Sequence, residues 1–153
     1  MIRRSAADRE WLCVAIELAR LSPPVRTAYA VGAIIVDRHG QELARGWSRE
    51  TDPYVHAEES ALAKLSGTGV DLTGATVYSS LEPCSVRRSR PRPCAELIIA
   101  AGIGRVVLAL REPPVFVDCH GVELLEAAGV EVIEMPDLAD RVRATNAHVL
   151  GLE

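Results

Sequence analysis

Apolar positions along the chain recur with two spacings, one near 3.6 residues and one near 2, and they alternate along most of its length. Leu12, Ile16 and Ala19 share a helical face behind Ser5, with Asp8 three residues on. A capped helix is therefore expected over 5–21, stopped by "SPP" at 22–24. "AVGAIIVD" (30–37) reads as a buried strand, "RHG" as a turn and "QELARGW" (41–47) as its hairpin partner. Helical spacing returns at Ala61, Leu62 and Leu65, with Thr51 or Asp52 as the expected start signal. "SGTGVDLTG" is a loop and "ATVYSSL" (75–81) a second core strand. The stretch 82–94 has no period and is rich in Pro and Arg. Pro93 then opens a helix that runs to Gly102. A strand (105–110), a helix (121–129), a strand (130–135) and a closing helix (137–153) complete the pattern.

Strand and helix alternate through the second half, which argues for parallel pairing with helices covering the sheet. The first half opens with a hairpin. The expected fold is a three-layer α/β/α sandwich around a mixed five-stranded sheet. One domain over 1–153 is the default at this length, and no internal repeat is visible. No apolar run reaches the roughly 18 residues of a membrane span. "MIRRSAADREWLC" has no apolar stretch behind its arginines, so it does not read as a secretory signal, and a cytoplasmic location is expected. A formal charge of −4 gives no general pull toward nucleic acid. Against that balance, Arg87, Arg88, Arg90 and Arg92 crowd into six positions.

The candidate chemistry lies where two helices begin. His56 opens one, and Cys84 and Cys94 bracket the start of another. A helix N-terminus lowers a cysteine's pKa toward the thiolate. Two thiolates and an imidazole make three zinc ligands. Cys13, on an amphipathic helix, and Cys119, in another loop, are poorly placed for a fourth and read as small hydrophobes. A fourth position left open marks a catalytic site. Glu58, two residues from His56, then becomes a proton carrier. Its carboxylate can take a proton from water and pass it to a ring nitrogen and a leaving amine, which is hydrolytic deamination. The zinc-deaminase signature is H-x-E followed by P-C-x-x-C, with the Glu not a ligand. Here nine residues separate Cys84 from Cys94, where the signature has two.

With "HAE", "LEPCS", "RPCAELI" and the preceding "VGAIIV" in view, the chain resembles the cytidine-deaminase-like superfamily. Within it, residues 10–135 look most like the deaminase domain of riboflavin biosynthesis, which reads "VGAVIV", "HAE", "TLEPCSHxGRTPPC" and "DPNPxVxGxG". The resemblance implies a zinc-dependent deaminase, a small heterocyclic substrate and a homodimer. "RVRATNAHVL" reads as the stub of a linker to a reductase domain that this sequence does not continue into. Departures fall on substrate-facing positions. Ala28, Val86 and Pro114 stand where the family has Asn, His and Asn, and the arginine loop is one residue longer. Arg90 keeps the register of the family's Arg.

Several residues are candidate substrate contacts. Ser80 ends the central strand beside Ser79, and their main chain faces the substrate amine in the resemblance. Glu82 is either a partner that orients the site or a helix cap. Trp47 is either core or a stacking surface, and His120 occupies the family's "GxG" loop. Arg90 is the candidate for a phosphate tail, set against a purely solvated arginine loop. His39 and His148 read as surface residues. The first candidate substrate is the diaminopyrimidine ribose phosphate of the riboflavin pathway, and the alternative is a free cytosine-type base, nucleoside or nucleotide. A zinc-binding module without activity and a Cys84–Cys94 redox protein are rivals. The first leaves Glu58 without a use, and the second lacks a Cys-x-x-Cys turn.

Overall fold

The computed structural model describes residues 5–151. Helix α1 (Ala6–Leu18) starts as its sequence dictates. The Ser5 hydroxyl accepts the Asp8 N–H, and the Asp8 carboxylate accepts the Ser5 N–H. Two strands follow, β1 (Gly32–Val36) and β2 (Glu42–Trp47), then α2 (Ala57–Ala63), β3 (Thr76–Leu81), α3 (Cys94–Ala100), β4 (Arg105–Leu110), α4 (Gly121–Ala127), β5 (Glu131–Glu134), α5 (Ala139–Thr145) and α6 (Ala147–Leu150). The sheet order is β2-β1-β3-β4-β5. β1 is antiparallel to both of its neighbours, and β3, β4 and β5 are mutually parallel. Four strands therefore point the same way and β1 alone is reversed. This is the expected mixed five-stranded sheet between helical layers.

Both faces of the sheet are apolar because the central strands alternate between two apolar sets. Ile34, Tyr78, Val107 and Ile133 face Leu12 and Ile16 of α1 and Val142 of α5. Ile35, Val77, Val106, Leu108 and Val132 face Ala61 of α2, Ile98 of α3 and Leu125 of α4. Gly32 is fixed by this packing: a Cβ there would lie 2.0 Å from the Ala15 carbonyl oxygen. Among the described residues no helix is long and apolar enough to cross a membrane.

Two expectations need correction. Helix α2 does not start at Thr51 or Asp52. The Asp52 carboxylate is occupied by the Tyr54 N–H at 2.7 Å, an Asx turn, and the helix is capped at His56. The closing helix is not continuous either. A 3₁₀ turn at Pro136–Leu138 precedes α5, and Asn146 separates α5 from α6. Buried Asn146 accepts the Ala30 N–H at 2.7 Å and donates to the Ala30 and Val142 carbonyls, each at 3.1 Å. It thereby serves backbone groups just ahead of β1 that have no strand partner. The last two residues of the expected helix lie outside the described residues.

Candidate active site

The site lies along the edge of the sheet where β2, β3 and β4 end. After β2 the chain turns into α2, whose N-cap is His56 with extended backbone (φ −88°, ψ 161°). After β3 it runs through Pro83 and Cys84. After a loop of nine residues it enters α3 at Cys94, with Pro93 as N-cap. The Cys94 N–H donates to Cys84 Sγ at 3.2 Å and the Ala95 N–H to the Cys84 carbonyl at 3.0 Å, so the two cysteines are held across one helix start. His56 Nδ1 lies 3.5 Å from Cys84 Sγ and 3.4 Å from Cys94 Sγ, and all three donor atoms fall within 4.8 Å of one another. Nitrogen and sulfur ligands bound tetrahedrally to one zinc ion at about 2.0 and 2.3 Å would lie about 3.6 Å apart. The donor set therefore fits zinc in both chemistry and spacing. The hydrogen bond from the Cys94 thiol lowers Cys84 toward thiolate, against its burial and with help from His56. The same bond and full burial keep Cys94 protonated. One proton is thus shared by two sulfurs, and a divalent cation would release it.

Glu58 is buried in the first turn of α2. Burial pushes its carboxyl above the usual range, and a hydrogen bond with Ser79 opposes that. Ser79 Oγ lies 2.6 Å from Glu58 Oε1 and 2.7 Å from the Leu81 carbonyl oxygen. A hydroxyl has one proton to give. It serves Leu81 while Glu58 is protonated and can turn to Glu58 when the carboxylate is ionised. Ser79 is thereby placed to accommodate both states of the Glu58 carboxyl.

These groups open onto a cavity of about 520 Å³, within the range of small-molecule sites. His56, Glu58, Glu82, Cys84 and Glu112 line its inner end, and Tyr54, Val86 and Phe116 flank its mouth as exposed apolar groups. Glu112 was not anticipated, although it stands where the resembled family has the Asp of "DPNP". Burial first, then the neighbouring negative charges of Cys84 and Glu82, raise its pKa to about 7. Tyr29 is also new: its hydroxyl donates to the Pro113 carbonyl at 2.8 Å and its ring meets Phe116 edge-on, which ties the loop after β4 over the cavity. Arg49, a non-glycine residue with φ of +60°, holds the opposite wall through the Pro23 and Tyr29 carbonyls and the Ser22 hydroxyl.

The structure brings His56, Glu58, Cys84 and Cys94 together, and several of the expected substrate contacts fall elsewhere. Glu82 reaches the cavity, but its two oxygens accept the Glu112 N–H at 2.9 Å and the Val122 N–H at 2.8 Å, so it caps α4 and pins the loop before it. Ser80 is fully buried, with its hydroxyl on the Gly32 N–H of β1, and does not line the cavity. Trp47 lies under Lys64, whose ammonium is 5.5 Å from the ring centre. His120 is exposed, with its backbone N–H on the Ser85 hydroxyl. Arg90 is bound to Asp52 at 2.5 Å and lies 3.5 Å from Glu59, away from the cavity wall. Of the three departures from the family pattern, Ala28 and Val86 line the cavity and Pro114 does not.

The family model for the cytidine and deoxycytidylate deaminase zinc-binding region matches residues 5–110, more than half of the chain. The chain belongs to this deaminase family. Within the family it is 42% identical over 127 residues to the diaminohydroxyphosphoribosylamino-pyrimidine deaminase of Schizosaccharomyces pombe, covering 82% of this chain and 31% of that one. The bifunctional diaminohydroxyphosphoribosylaminopyrimidine deaminase/5-amino-6-(5-phosphoribosylamino)uracil reductase of Thermotoga maritima superposes with a TM-score of 0.81. It is 34% identical, over 95% of this chain and 42% of that one. A second family structure, the dCMP deaminase of cyanophage S-TIM5, gives a TM-score of 0.68 at 25% identity over 87% of this chain and 100% of that one. The chain thus spans about a quarter to a third of the length of these curated relatives. The fold and the zinc-binding character of the region are those of the deaminase family.

Proposed function

We propose that the chain is a zinc-dependent hydrolytic deaminase of an amino-substituted pyrimidine, with the diaminopyrimidine ribose phosphate of riboflavin biosynthesis as its first candidate substrate. The observation that carries the reading is the convergence of two cysteine sulfurs and an imidazole nitrogen within 4.8 Å beside the buried carboxyl of Glu58. His56, Cys84 and Cys94 hold the metal, and the described sheet with its two helical layers acts as one deaminase domain. Zinc bound there supplies water acidified for attack near neutral pH. Glu58, as the ionised carboxylate, would accept a proton from the attacking water as its oxygen adds to the amine-bearing ring carbon. It would deliver that proton to the ring nitrogen, then take the second proton from the hydroxyl now on the ring carbon and pass it to the departing amine, so that the carbon–nitrogen bond breaks, ammonia leaves and the ring carbon becomes a carbonyl. Ser79 turns its hydroxyl with each change in Glu58. Glu112 and Glu82 keep the inner end of the cavity acidic, which suits an amine-rich heterocycle. The compound and the pathway named by the relatives support the choice of ring, and thiolate ligands suit the reducing cytoplasm. A homodimer, as the resemblance implies, is read by sedimentation.

The test is ammonia release from diaminopyrimidine ribose phosphate, cytosine, cytidine and dCMP by zinc-loaded protein. Turnover is expected on the first. Glu58→Gln should retain about one zinc per chain and lose orders of magnitude in kcat. Turnover confined to dCMP or cytidine moves the substrate assignment, and a Glu58→Gln variant with wild-type kcat removes the mechanism.

A further inference from the structure

Strand β1 begins at Gly32, where it pairs with Trp47 of β2. The residues just ahead of it belong to no strand, and side chains satisfy their backbone groups. The Tyr29 carbonyl accepts Arg49 Nη1 at 3.3 Å, the Val31 N–H donates to the Ser48 hydroxyl at 2.9 Å, and the Gly32 N–H donates to the Ser80 hydroxyl at 3.1 Å. Both backbone groups of Ala30 go to the carboxamide of Asn146: the N–H to Oδ1 at 2.7 Å and the carbonyl to Nδ2 at 3.1 Å. A carboxamide carries the donor and the acceptor of a peptide group, so this side chain stands in for a neighbouring strand. A further bond from Nδ2 to the Val142 carbonyl, at 3.1 Å, anchors it to α5. Tyr29 and Val31 line the active cavity, whereas Ala30 lines a second cavity together with Ala144, Thr145 and His148. Asn146, 1% exposed and not among the residues that line the active cavity, therefore holds that wall from behind. Tyr29 carries the wall's position onward, since its hydroxyl donates to the Pro113 carbonyl beside Glu112 and its ring meets Phe116.

From this geometry we infer that Asn146 is a positioning residue of the active site. By fixing Ala30 it places Tyr29 and Val31, which form one wall of the cavity, and through Tyr29 the loop after β4. Asn146 lies beyond residues 5–110, the region that the family model matches, so the α5–α6 junction completes a cavity whose metal-binding side belongs to that region. Without the carboxamide, a buried N–H and a buried carbonyl lose their partners, and the segment relieves that cost by shifting. Ser48 and Arg49 still hold Val31 and Tyr29, so the shift is local and the fold survives it. A misplacement of about 1 Å far from the chemistry is enough to cost up to about a hundredfold in rate. His56, Cys84 and Cys94 stand at the starts of α2 and α3, bonded among themselves and not to Ala30. The kinetic part of the inference rests on the proposed deaminase reading, and the contacts of Ala30 stand independently of the reaction.

Two measurements on zinc-loaded Asn146→Ala test the inference. In amide hydrogen exchange, Ala30, Val31 and Gly32 should lose about tenfold or more of their protection, while Ile34 and Ile35 inside β1 keep that of wild type. In steady-state kinetics on the substrate that wild type deaminates, KM should rise about tenfold or more, kcat should stay within about threefold, and bound zinc should stay at the wild-type level. Asn146→Ser keeps one donor and one acceptor on a shorter side chain and should fall between the two proteins in both measurements; where Asn146→Ala does not fold, it carries the test against the same limits. Leu138→Ala removes core volume beside α5 without removing a bond to Ala30, and its KM should stay within about twofold of wild type although it melts earlier. Exchange changes confined to α5 and α6, an unchanged KM in Asn146→Ala, or an equal rise of KM in Leu138→Ala overturns the inference. If wild type releases ammonia from none of the four candidate substrates, the deaminase reading falls, and the exchange result alone decides whether Asn146 holds the wall.

Discussion

Replacing Glu59 with Gln should weaken zinc binding, although Glu59 is not one of the proposed ligands. Its carboxylate joins the two halves of the site. Oε1 accepts the His56 N–H at 3.2 Å and Arg87 Nη2 at 2.8 Å, and Oε2 lies 3.5 Å from Arg90 Nε. The helix that carries His56 is thereby tied to the loop that runs from Cys84 to Cys94. The Arg87 side chain is 2% exposed and Glu59 22%, so solvent screens the pair weakly. Breaking a buried pair outright costs about 3–5 kcal/mol. Glutamine keeps a neutral acceptor in place, which leaves the difference between a charge-assisted and an ordinary hydrogen bond plus part of the desolvation cost, together about 1.5–2 kcal/mol. Metal binding and ordering of the loop are coupled, so most of this should appear as zinc affinity, a fall of roughly ten- to thirtyfold. Competition with a chromophoric chelator measures it directly. At saturating zinc, kcat should stay within a few-fold of wild type, because Glu59 touches no reacting atom. Adding Arg87→Met removes the stranded charge, so Glu59→Gln should cost little in that background. A Glu59→Gln protein that melts earlier but binds zinc as tightly as wild type would refute the coupling and leave the pair a feature of the fold alone.

Two further expectations concern the frame around the site. Burial alone would raise the Asp8 pKa, but hydrogen bonds from Arg105 (2.6 and 2.8 Å) and Tyr78 (2.7 Å) outweigh it and lower it from 3.8 to about 2. The charged form is favoured in the fold, so this stabilisation, about 2 kcal/mol at about 1.36 kcal/mol per pKa unit, is complete above pH 3.8 and lost as the pH falls through about 2. Urea unfolding of wild type and Asp8→Asn should differ by about that amount at pH 7 and converge toward pH 2, and a gap independent of pH would count against the assignment. Gly121→Ala places a Cβ 1.8 Å from the Pro83 carbonyl oxygen. It should cost about 1–3 kcal/mol and lower the melting temperature by several degrees, and an unchanged melting curve would show that the α4 start is free to move.

The strands were legible because β1 and β4 are apolar on both faces and β3 carries Val77, Tyr78 and Leu81 in a run of strand formers, and no turn chemistry competes with them. The grouping of His56, Cys84 and Cys94 was legible for a different reason: the proposed donors are rare residue types placed where helical spacing begins. What stayed hidden depends on where side-chain oxygens and guanidinium groups turn. Asp52 looks like a helix start from its type, yet its carboxylate closes an Asx turn and pairs with Arg90. Asn146 lies in a run of good helix formers, and only the three-dimensional approach of Ala30 explains the break there. In the aperiodic loop 85–93, four arginines are equivalent by type. The structure assigns Arg90 to acidic partners and Arg87 and Arg88 to the cavity wall. Ser79 and Ser80 are neighbours of the same chemistry, but strand alternation sends one to Glu58 and the other to the backbone of β1.

The sheet's direction explains why these groups converge. Since β1 is antiparallel to both neighbours and β3–β5 are parallel, β2, β3 and β4 all end at the same edge. His56 and Glu58 follow β2, Cys84 follows β3, Glu112 follows β4, and Tyr29 and Val31 precede reversed β1 at that edge. Cys84 and Glu112 lie within three residues of the end of a strand whose register is set by a two-sided core, and His56 and Glu58 are carried by α2, which packs on that core. The rim has no such support. Arg88, Val86 and Phe116 sit on loops held by a few polar contacts and one ring contact. A change such as Val86 or the extra loop residue can therefore alter what the mouth accepts without moving a donor atom of the proposed metal site. Chemistry fixed by strand ends and selectivity carried by loops is the division expected of ligand sites at the carboxyl edge of such sheets. In this chain the boundary between the two falls between Cys84, held by α3, and Val86, two residues on.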